Sequence, residues 1–172
     1  MKRTAMSPPK EPMSRGNGFQ RKPGSPRVAE RIAKAPRDTG FSQATKLDVR
    51  TRAGQGDPDA ALCEGCGIWC GRYGGQIHHI VDREQADPEI RNTIINALLL
   101  HGTALTGCHG RATDCDPRFN AMGFWLYSWQ KPGEEGVLLY GAAEEGGRGG
   151  LTVYLAPDGT YALEPPAGQV AS

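Results

Sequence analysis

The sequence has no hydrophobic run that could cross a membrane, since no stretch approaches the roughly 20 apolar residues that a transmembrane helix needs. No apolar segment follows the opening Met-Lys-Arg, so we expect no secretory signal. It also lacks an even set of cysteines, because there are five. An odd number of cysteines without an export signal favours thiols that bind metal over a disulfide framework. We therefore expect a cytoplasmic protein without a membrane partner.

The chain is poor in apolar residues, which make up 38% of its 172 residues, and it contains 24 Gly and 13 Pro. The packed part is therefore expected to be well short of the full length. A core of that size usually needs an additional stabilising element, and a bound metal ion is one such element.

The net charge of +1 conceals an uneven distribution. Residues 1–38 carry ten Lys and Arg against three acidic residues, whereas the remainder carries ten against sixteen. With its many prolines, the segment 1–40 is predicted to be a disordered basic tail. Such a tail either contacts an anionic partner, with nucleic acid as the first candidate, or keeps the protein soluble.

Local patterns in the rest of the chain indicate a mixed α+β fold. Gly54 is a typical helix stop, Ile77, Ile80 and Val81 give a short strand its β-branched character, and Asp158-Gly159 is a strong hairpin signal. The predicted helices cover residues 42–53, 108–112 and 118–121. The predicted strands cover residues 76–81, 94–100, 136–140, 151–155 and 161–163.

All four histidines lie between residues 78 and 109, among cysteines. Cys63 and Cys66 form a Cys-x-x-Cys pair in a glycine-rich turn, which becomes a good zinc candidate when a second ligand pair follows about 40 residues later. That pair is His101 with Cys108, or Cys108 with Cys115, with Cys70 as a further choice. Four protein ligands leave no open position, so the predicted zinc is structural. The competing interpretation is a set of ordinary buried thiols.

His78 and His79 are adjacent, and alternate side chains of a regular strand point to opposite faces. One metal ion therefore cannot be held by both from such a strand. We expect one histidine to bind a metal while the other faces the substrate, because a neutral imidazole beside a divalent cation is a suitable general base near pH 7.

These residues, in this order, resemble the HNH endonuclease family, whose ββα-metal site is a hairpin followed by a helix. The resemblance covers about residues 45–125 and includes the text Gly-Gly-Gln-Ile-His-His-Ile and Gly-Cys-His-Gly. It is strongest for small HNH proteins of actinobacteria and their tailed phages. It implies a nuclease domain over 41–130. Beyond that domain, the strand pattern and the Asp158-Gly159 signal predict C-terminal strands over 131–163 that form a β-hairpin and complete or flank the domain. Residues 164–172 are predicted to be a tail.

The resemblance implies that His79 is the general base, that Asn96 orders the loop and helps to hold the histidine, and that His78 and His109 bind a catalytic ion, Mg²⁺ or another divalent cation such as Mn²⁺. It also implies a structural Zn²⁺ on four ligands: Cys63, Cys66, His101 and Cys108. There are two departures from the family pattern. His101 stands where the family has cysteine, with six residues before Cys108, and the next ligand position after His109 holds Thr113, followed by Asp114.

The implied activity is hydrolysis of DNA phosphodiester bonds in the cytoplasm of a bacterium or a phage-infected cell. Relatives of this kind act beside a phage terminase in DNA packaging, or as restriction-type or homing-type nucleases. The alternative is a non-catalytic zinc module that binds DNA or protein. Such a module has no need of the adjacent histidines His78 and His79.

Overall fold

The computed structural model describes residues 40–142 and 150–166. The predicted basic tail, apart from Gly40, lies outside these residues, as does the C-terminal segment from residue 167. The described part mixes helices with two antiparallel sheets, which confirms the α+β class. Within residues 40–142 and 150–166, none of the helices is both long and apolar enough to cross a membrane.

Helix α1 (Gln43–Ala53) has the boundaries that its local sequence predicts. The hydroxyl of Ser42 caps its start by accepting a hydrogen bond from the Thr45 N–H at 3.0 Å. At its end the Gly54 N–H donates to the Arg50 carbonyl. The helix buries Val49, Arg52 and Ala53, so one of the side chains that it presents to the interior is a charged one.

Strands β1 (Gln76–His79) and β2 (Ala97–Leu100) form a two-stranded antiparallel sheet. His79 is paired with Ala97, and Gln76 with Leu100. The predicted strand over 94–100 is therefore too long, because Ile94–Asn96 is a 3₁₀ turn. The physical reason is the Asn96 side chain, which bonds to a neighbouring loop and holds the backbone in a turn just before β2.

Two short helices follow β2, namely α2 (Gly107–Thr113) and α3 (Pro117–Ala121). A proline at the first position of α3 suits a helix start, since its missing N–H has no partner there in any case. The Asp116 carboxylate caps the same helix by accepting from the Arg118 N–H at 3.0 Å. A further 3₁₀ turn, Pro58–Ala60, follows α1.

The C-terminal strands form a second antiparallel sheet in the order β3 (Val137–Leu139), β4 (Leu151–Leu155) and β5 (Tyr161–Ala162). The predicted turn between β4 and β5 is present, and the Asp158 carboxylate accepts from the Thr160 N–H at 2.9 Å within it. The hairpin of β4 and β5 is thus part of a three-stranded sheet, because β3 pairs with the other edge of β4.

A buried ion pair connects these elements. Arg52 of α1 makes two side-chain hydrogen bonds to the Glu64 carboxylate, at 3.0 and 3.1 Å. Glu64 also accepts from the Leu99 N–H of β2 at 2.6 Å and from the Tyr161 hydroxyl of β5 at 2.6 Å. Burial and the Glu64 carboxylate raise the pKa of Tyr161, so its hydroxyl keeps its proton and remains a donor.

Candidate functional site

Four potential metal ligands come together beside β2. The sulfur atoms and the ring nitrogen all lie within 4.8 Å of one another. Ligand atoms around a tetrahedral zinc with bonds of about 2.3 Å are separated by about 3.8 Å, so the cluster fits one ion without a large rearrangement. The group can therefore bind a metal such as zinc, and its members are Cys63, Cys66, His101 and Cys108.

A tight turn presents the first two thiols. The Gly67 N–H donates to the Cys63 carbonyl at 2.8 Å, and the Cys63 N–H donates to the Ile68 carbonyl at 2.8 Å. Gly67 has a φ of +76°, a conformation that favours glycine. The turn is attached to β2, because the Glu64 N–H donates to the Leu99 carbonyl at 2.8 Å. Both thiols thus face the residue that follows β2, His101.

The other two ligands approach the turn closely. The Nδ1 atom of His101 lies 3.1 Å from the Cys66 sulfur, and the His101 N–H donates to the Cys63 sulfur at 3.3 Å. A Cβ atom at Gly65 would lie 3.0 Å from the Cys108 sulfur. Gly65 therefore lacks a side chain where the fourth ligand reaches the turn.

Hydrogen bonds among the thiols favour a thiolate in the cluster. Contacts from Cys108 and then Cys63 lower the pKa of Cys66 to about 3, whereas contacts from Cys63 and then Cys66 raise the pKa of Cys108. Thiolate is the form of cysteine that binds metal. Cys70 behaves as an ordinary buried thiol, since burial raises its pKa to about 11, and neither it nor Cys115 belongs to the cluster. Of the second pairs predicted from the sequence, the structure therefore selects His101 with Cys108.

A pair of histidines faces a cleft. The rings of His78 on β1 and His109 on α2 meet edge to face with their centroids 5.2 Å apart. His78 Nε2 and His109 Nδ1 are buried and have no hydrogen-bond partner within the described part of the chain. Two orphaned nitrogens on adjacent rings are a suitable donor set for a divalent cation.

Both rings are in the chemical form that binds metal. Burial lowers the pKa of His78 to about 3, with further contributions from His109 and His79, and burial also lowers the pKa of His109. The backbone of Phe124 hydrogen-bonds the ring of His78, and the backbone of Thr103 hydrogen-bonds the ring of His109. A bond at the other ring nitrogen fixes the tautomer and leaves the orphaned nitrogen with its lone pair.

His79 lies on a different side of β1 and has different neighbours. Its ring stacks on Phe41 with centroids 4.0 Å apart and an angle of 19° between planes. Its Nε2 lies 3.1 Å from the Oδ1 of Asn92. Because a carbonyl oxygen only accepts, the proton of the neutral ring is on Nε2, and Nδ1 holds the lone pair. Burial lowers the pKa of His79, and the Asn92 contact opposes that effect.

All three rings line one cleft of about 720 Å³. The same cleft is lined by Thr113 but not by Asp114, so only the threonine is near the position where the family pattern has another ligand. The Thr113 hydroxyl donates to the His109 carbonyl at 2.9 Å. Asp114, the residue after Thr113, is exposed and does not line the cleft.

Asn96 is fully buried and does not line the cleft. Its side-chain amide accepts from the Val81 N–H at 2.8 Å and donates to the carbonyls of Val81 and Arg91, both at 3.1 Å. These three bonds tie Asn96 to Val81, at the start of the loop that carries Asn92, and to Arg91, the residue before Asn92. Asn96 therefore orders the loop, and its link to His79 is indirect, through Asn92.

Sequence reasoning missed three residues of this region, namely Phe41, Asn92 and Glu64. Phe41 and Asn92 lie in no motif, and each reaches His79 only through the tertiary fold. Glu64 had a local signal, because it lies between the two cysteines of the predicted zinc pair. A carboxylate in such a turn is buried only when a partner is buried with it. Comparisons of the chain with family models, with curated proteins and with solved structures found no match.

Proposed function

We propose that the protein is a metal-dependent endonuclease of the HNH type that hydrolyses DNA phosphodiester bonds. The observation that supports this most directly is the pair of orphaned nitrogens on His78 and His109, in a cleft that also contains the ring of His79. A β1–β2 hairpin followed by α2 carries these residues, which agrees with a ββα-metal site.

In this proposal His78 Nε2 and His109 Nδ1 hold a divalent cation, Mg²⁺ or another such as Mn²⁺. When bound, the ion supplies positive charge that offsets the negative charge developing on the phosphate. Thr113 lines the same cleft and adds no charged ligand, so water would complete the set of ligands around the ion.

His79 acts as the general base. Its Nδ1 takes a proton from a water molecule, the water oxygen bonds to phosphorus, and the bond from phosphorus to the leaving 3′-oxygen breaks. The departing 3′-oxygen takes a proton from solvent and becomes a 3′-hydroxyl. Asn92 fixes the tautomer that leaves Nδ1 free, and the Phe41 ring restricts rotation of the imidazole. Asn96 contributes by holding the loop on which Asn92 lies.

The four-ligand cluster holds a structural zinc in this proposal. His101 replaces the usual thiolate, and imidazole is an accepted zinc ligand beside three cysteines. The ion stabilises the turn from Cys63 to Gly67 against β2 and the start of α2. DNA is the proposed partner, with the basic tail adding phosphate contacts. Packaging beside a phage terminase and restriction-type or homing-type cleavage are both compatible with it.

The test is nicking of supercoiled plasmid by the full chain in Mg²⁺ and Mn²⁺. His79→Ala is expected to lower the rate by about 10²- to 10⁴-fold, the usual contribution of a general base. Tyr73→Ala, at an exposed residue outside the cleft lining, serves as the control and keeps the rate. Equal cleavage by His79→Ala and wild type contradicts the assignment. No cleavage by wild type with any divalent ion favours the alternative, a non-catalytic zinc module.

A further inference from the structure

Three aromatic side chains alternate along the segment that follows Phe124 and contact one another in order, and they are here called the aromatic ladder (Trp125, Tyr127 and Trp129). The rings of Trp125 and Tyr127 meet edge to face with centroids 4.9 Å apart. Those of Tyr127 and Trp129 are stacked 4.4 Å apart with an angle of only 4° between planes. Tyr127 therefore lies flat against one face of the Trp129 ring.

The inner end of the ladder is held in place. The indole N–H of Trp125 donates to the Asp116 carbonyl at 3.0 Å, and the Trp125 carbonyl accepts from the Asn120 amide at 2.9 Å. At Tyr127 the backbone N–H donates to the Gln130 side chain, and the Gln130 N–H donates back to the Tyr127 carbonyl, both at 3.0 Å. The ladder is thus ordered before any ligand binds.

The outer end of the ladder faces solvent beside the proposed active site. Trp125 and Tyr127 line the cleft that contains His78, His79 and His109. Trp129 continues the stack away from it and is 74% exposed. Tyr127 covers one face of the Trp129 ring, so the opposite face is available to a flat ligand.

The side chains of the cleft supply little positive charge of their own. Its lining includes Asp82 and Glu84 as well as Arg83. In the proposed complex, phosphate contacts come from the bound cation and the basic tail, and neither of these distinguishes an unpaired base from a paired one. Stacking of bases on aromatic rings does not need positive charge, and it tolerates any sequence because every base has a π-face.

We propose that the aromatic ladder binds an unpaired nucleobase, which stacks on the exposed face of Trp129 and extends the ladder. In a continuous duplex the face of each base is covered by its neighbours, so only single-stranded or locally unpaired DNA offers a free one. This inference rests on the proposed nuclease function and narrows its substrate class to DNA with unpaired nucleotides near the scissile bond.

The binding test uses the full chain without added Mg²⁺ or Mn²⁺ and a labelled oligothymidylate, compared with the same strand paired to oligoadenylate. Wild type is expected to bind the single strand more tightly than the duplex. Trp129→Ala is expected to weaken single-strand binding by about 5- to 150-fold, the range for loss of one stacked base. Trp129→Phe keeps a flat face and is expected to retain part of the affinity.

Trp69 provides a matched control, since it is also a tryptophan, is 70% exposed and does not line the cleft. Trp69→Ala is expected to bind the single strand like wild type. In a Trp69→Phe background the remaining tryptophan emission comes from Trp125 and Trp129, and oligothymidylate is expected to quench it. That measurement tests the ladder even if Trp129→Ala fails to fold.

Two results overturn the inference, namely a Trp129→Ala variant that is folded and binds the single strand like wild type, and unquenched emission in the Trp69→Phe background. In the first case the three aromatic side chains serve to pack their own loop or to bind another protein. Plasmid nicking separates this failure from that of the proposed function. If wild type nicks DNA and Trp129→Ala binds oligothymidylate like wild type, the nuclease proposal stands and the base-stacking inference is wrong. If wild type does not nick DNA and Trp129→Ala loses oligothymidylate binding, the base-stacking inference stands and the nuclease proposal is wrong.

Discussion

The Nε2 of His79 lies 3.1 Å from the Oδ1 of Asn92, thirteen residues along the chain, so an asparagine outside any motif sets the tautomer of the proposed general base. Substitution of such a supporting residue typically costs 10- to 100-fold in activity. Asn92→Ala is therefore expected to lower kcat for plasmid nicking by about 10- to 100-fold. The metal concentration for half-maximal activity should not change, because the ion in this proposal is held by His78 and His109, whereas Asn92 bonds the ring of His79. Asn92→Asp keeps an acceptor and should be faster than Asn92→Ala. An equal loss in both variants would show that the acceptor is unimportant.

Removal of the cluster metal is expected to unfold the described domain. Structural zinc contributes about 10–16 kcal/mol of binding free energy in small peptides, which is comparable with the whole stability of a domain of this size. Cys63→Ser should therefore lose bound zinc and its cooperative thermal transition together, as measured by elemental analysis and circular dichroism. Cys115→Ser, an exposed cysteine outside the cluster, is the control and should keep both. A zinc-free Cys63→Ser with the wild-type melting curve would refute a structural zinc.

The chemistry of the cleft ligands predicts a preference among activating ions. Two imidazoles suit transition metals better than Mg²⁺, and affinity for nitrogen ligands rises from Mn²⁺ through Co²⁺ to Ni²⁺. The half-saturating concentration in the nicking assay should fall in that order and be highest for Mg²⁺. His109→Ala should raise it for every ion while leaving the zinc of the cluster in place. If His109→Ala is half-saturated at the same metal concentration as wild type, His109 is not a ligand of the activating ion.

The buried pair of Arg52 and Glu64 gives a stability prediction. Arg52→Met leaves the Glu64 carboxylate buried without its cation, which is expected to cost about 3–5 kcal/mol in the free energy of unfolding measured in urea. The double variant with Glu64→Gln should recover part of this loss, because it removes the uncompensated charge. If the free-energy cost of the double variant equals the sum of the costs of the two single variants, the two residues act independently.

Asn96 is expected to affect stability first and activity second. Asn96→Ala removes three hydrogen bonds of the loop between Val81 and Arg91 and leaves buried backbone groups unpaired, at a cost of about 1–3 kcal/mol for each group. Nicking should slow because Asn92 is no longer held against His79, while the half-saturating metal concentration stays the same. A change in metal affinity with normal stability would instead place Asn96 among the ligands.

Features fixed by neighbouring residues were predictable from the sequence, and those fixed by distant contacts were not. Ser42 and Gly54 delimit α1 locally, and the Asp158 turn is encoded in four residues. The cysteine spacing predicts a metal site but leaves three candidates for its second half. That choice depends on how β2 delivers His101 to the turn at Cys63, which only the folded chain defines. The predicted strand over 94–100 is too long because two of the three hydrogen bonds of Asn96 are to Val81, fifteen residues earlier, which only the folded chain brings near.

The aromatic residues 125–129 illustrate the same limit. Their alternation is visible in the sequence, yet it is also typical of a half-buried strand, and nothing local distinguishes the two. Their position at the edge of the histidine cleft depends on the contact of Leu126 with Ile80, where the Leu126 N–H donates to the Ile80 carbonyl at 2.8 Å. The alternation of aromatic residues in the sequence therefore does not predict that the tertiary fold places the aromatic ladder beside the histidine cleft.

The hydrogen bond from Tyr161 to Glu64 joins residues 97 positions apart, and it has a consequence for biosynthesis. All four cluster ligands have been translated once the ribosome passes Cys108, but the carboxylate between the first two cysteines acquires its last partner only when β5 has been made. In the proposed zinc site, the turn that carries the first two ligands is therefore incompletely anchored until β5 has been made. Truncations before Tyr161 are expected to exchange zinc faster than the full chain.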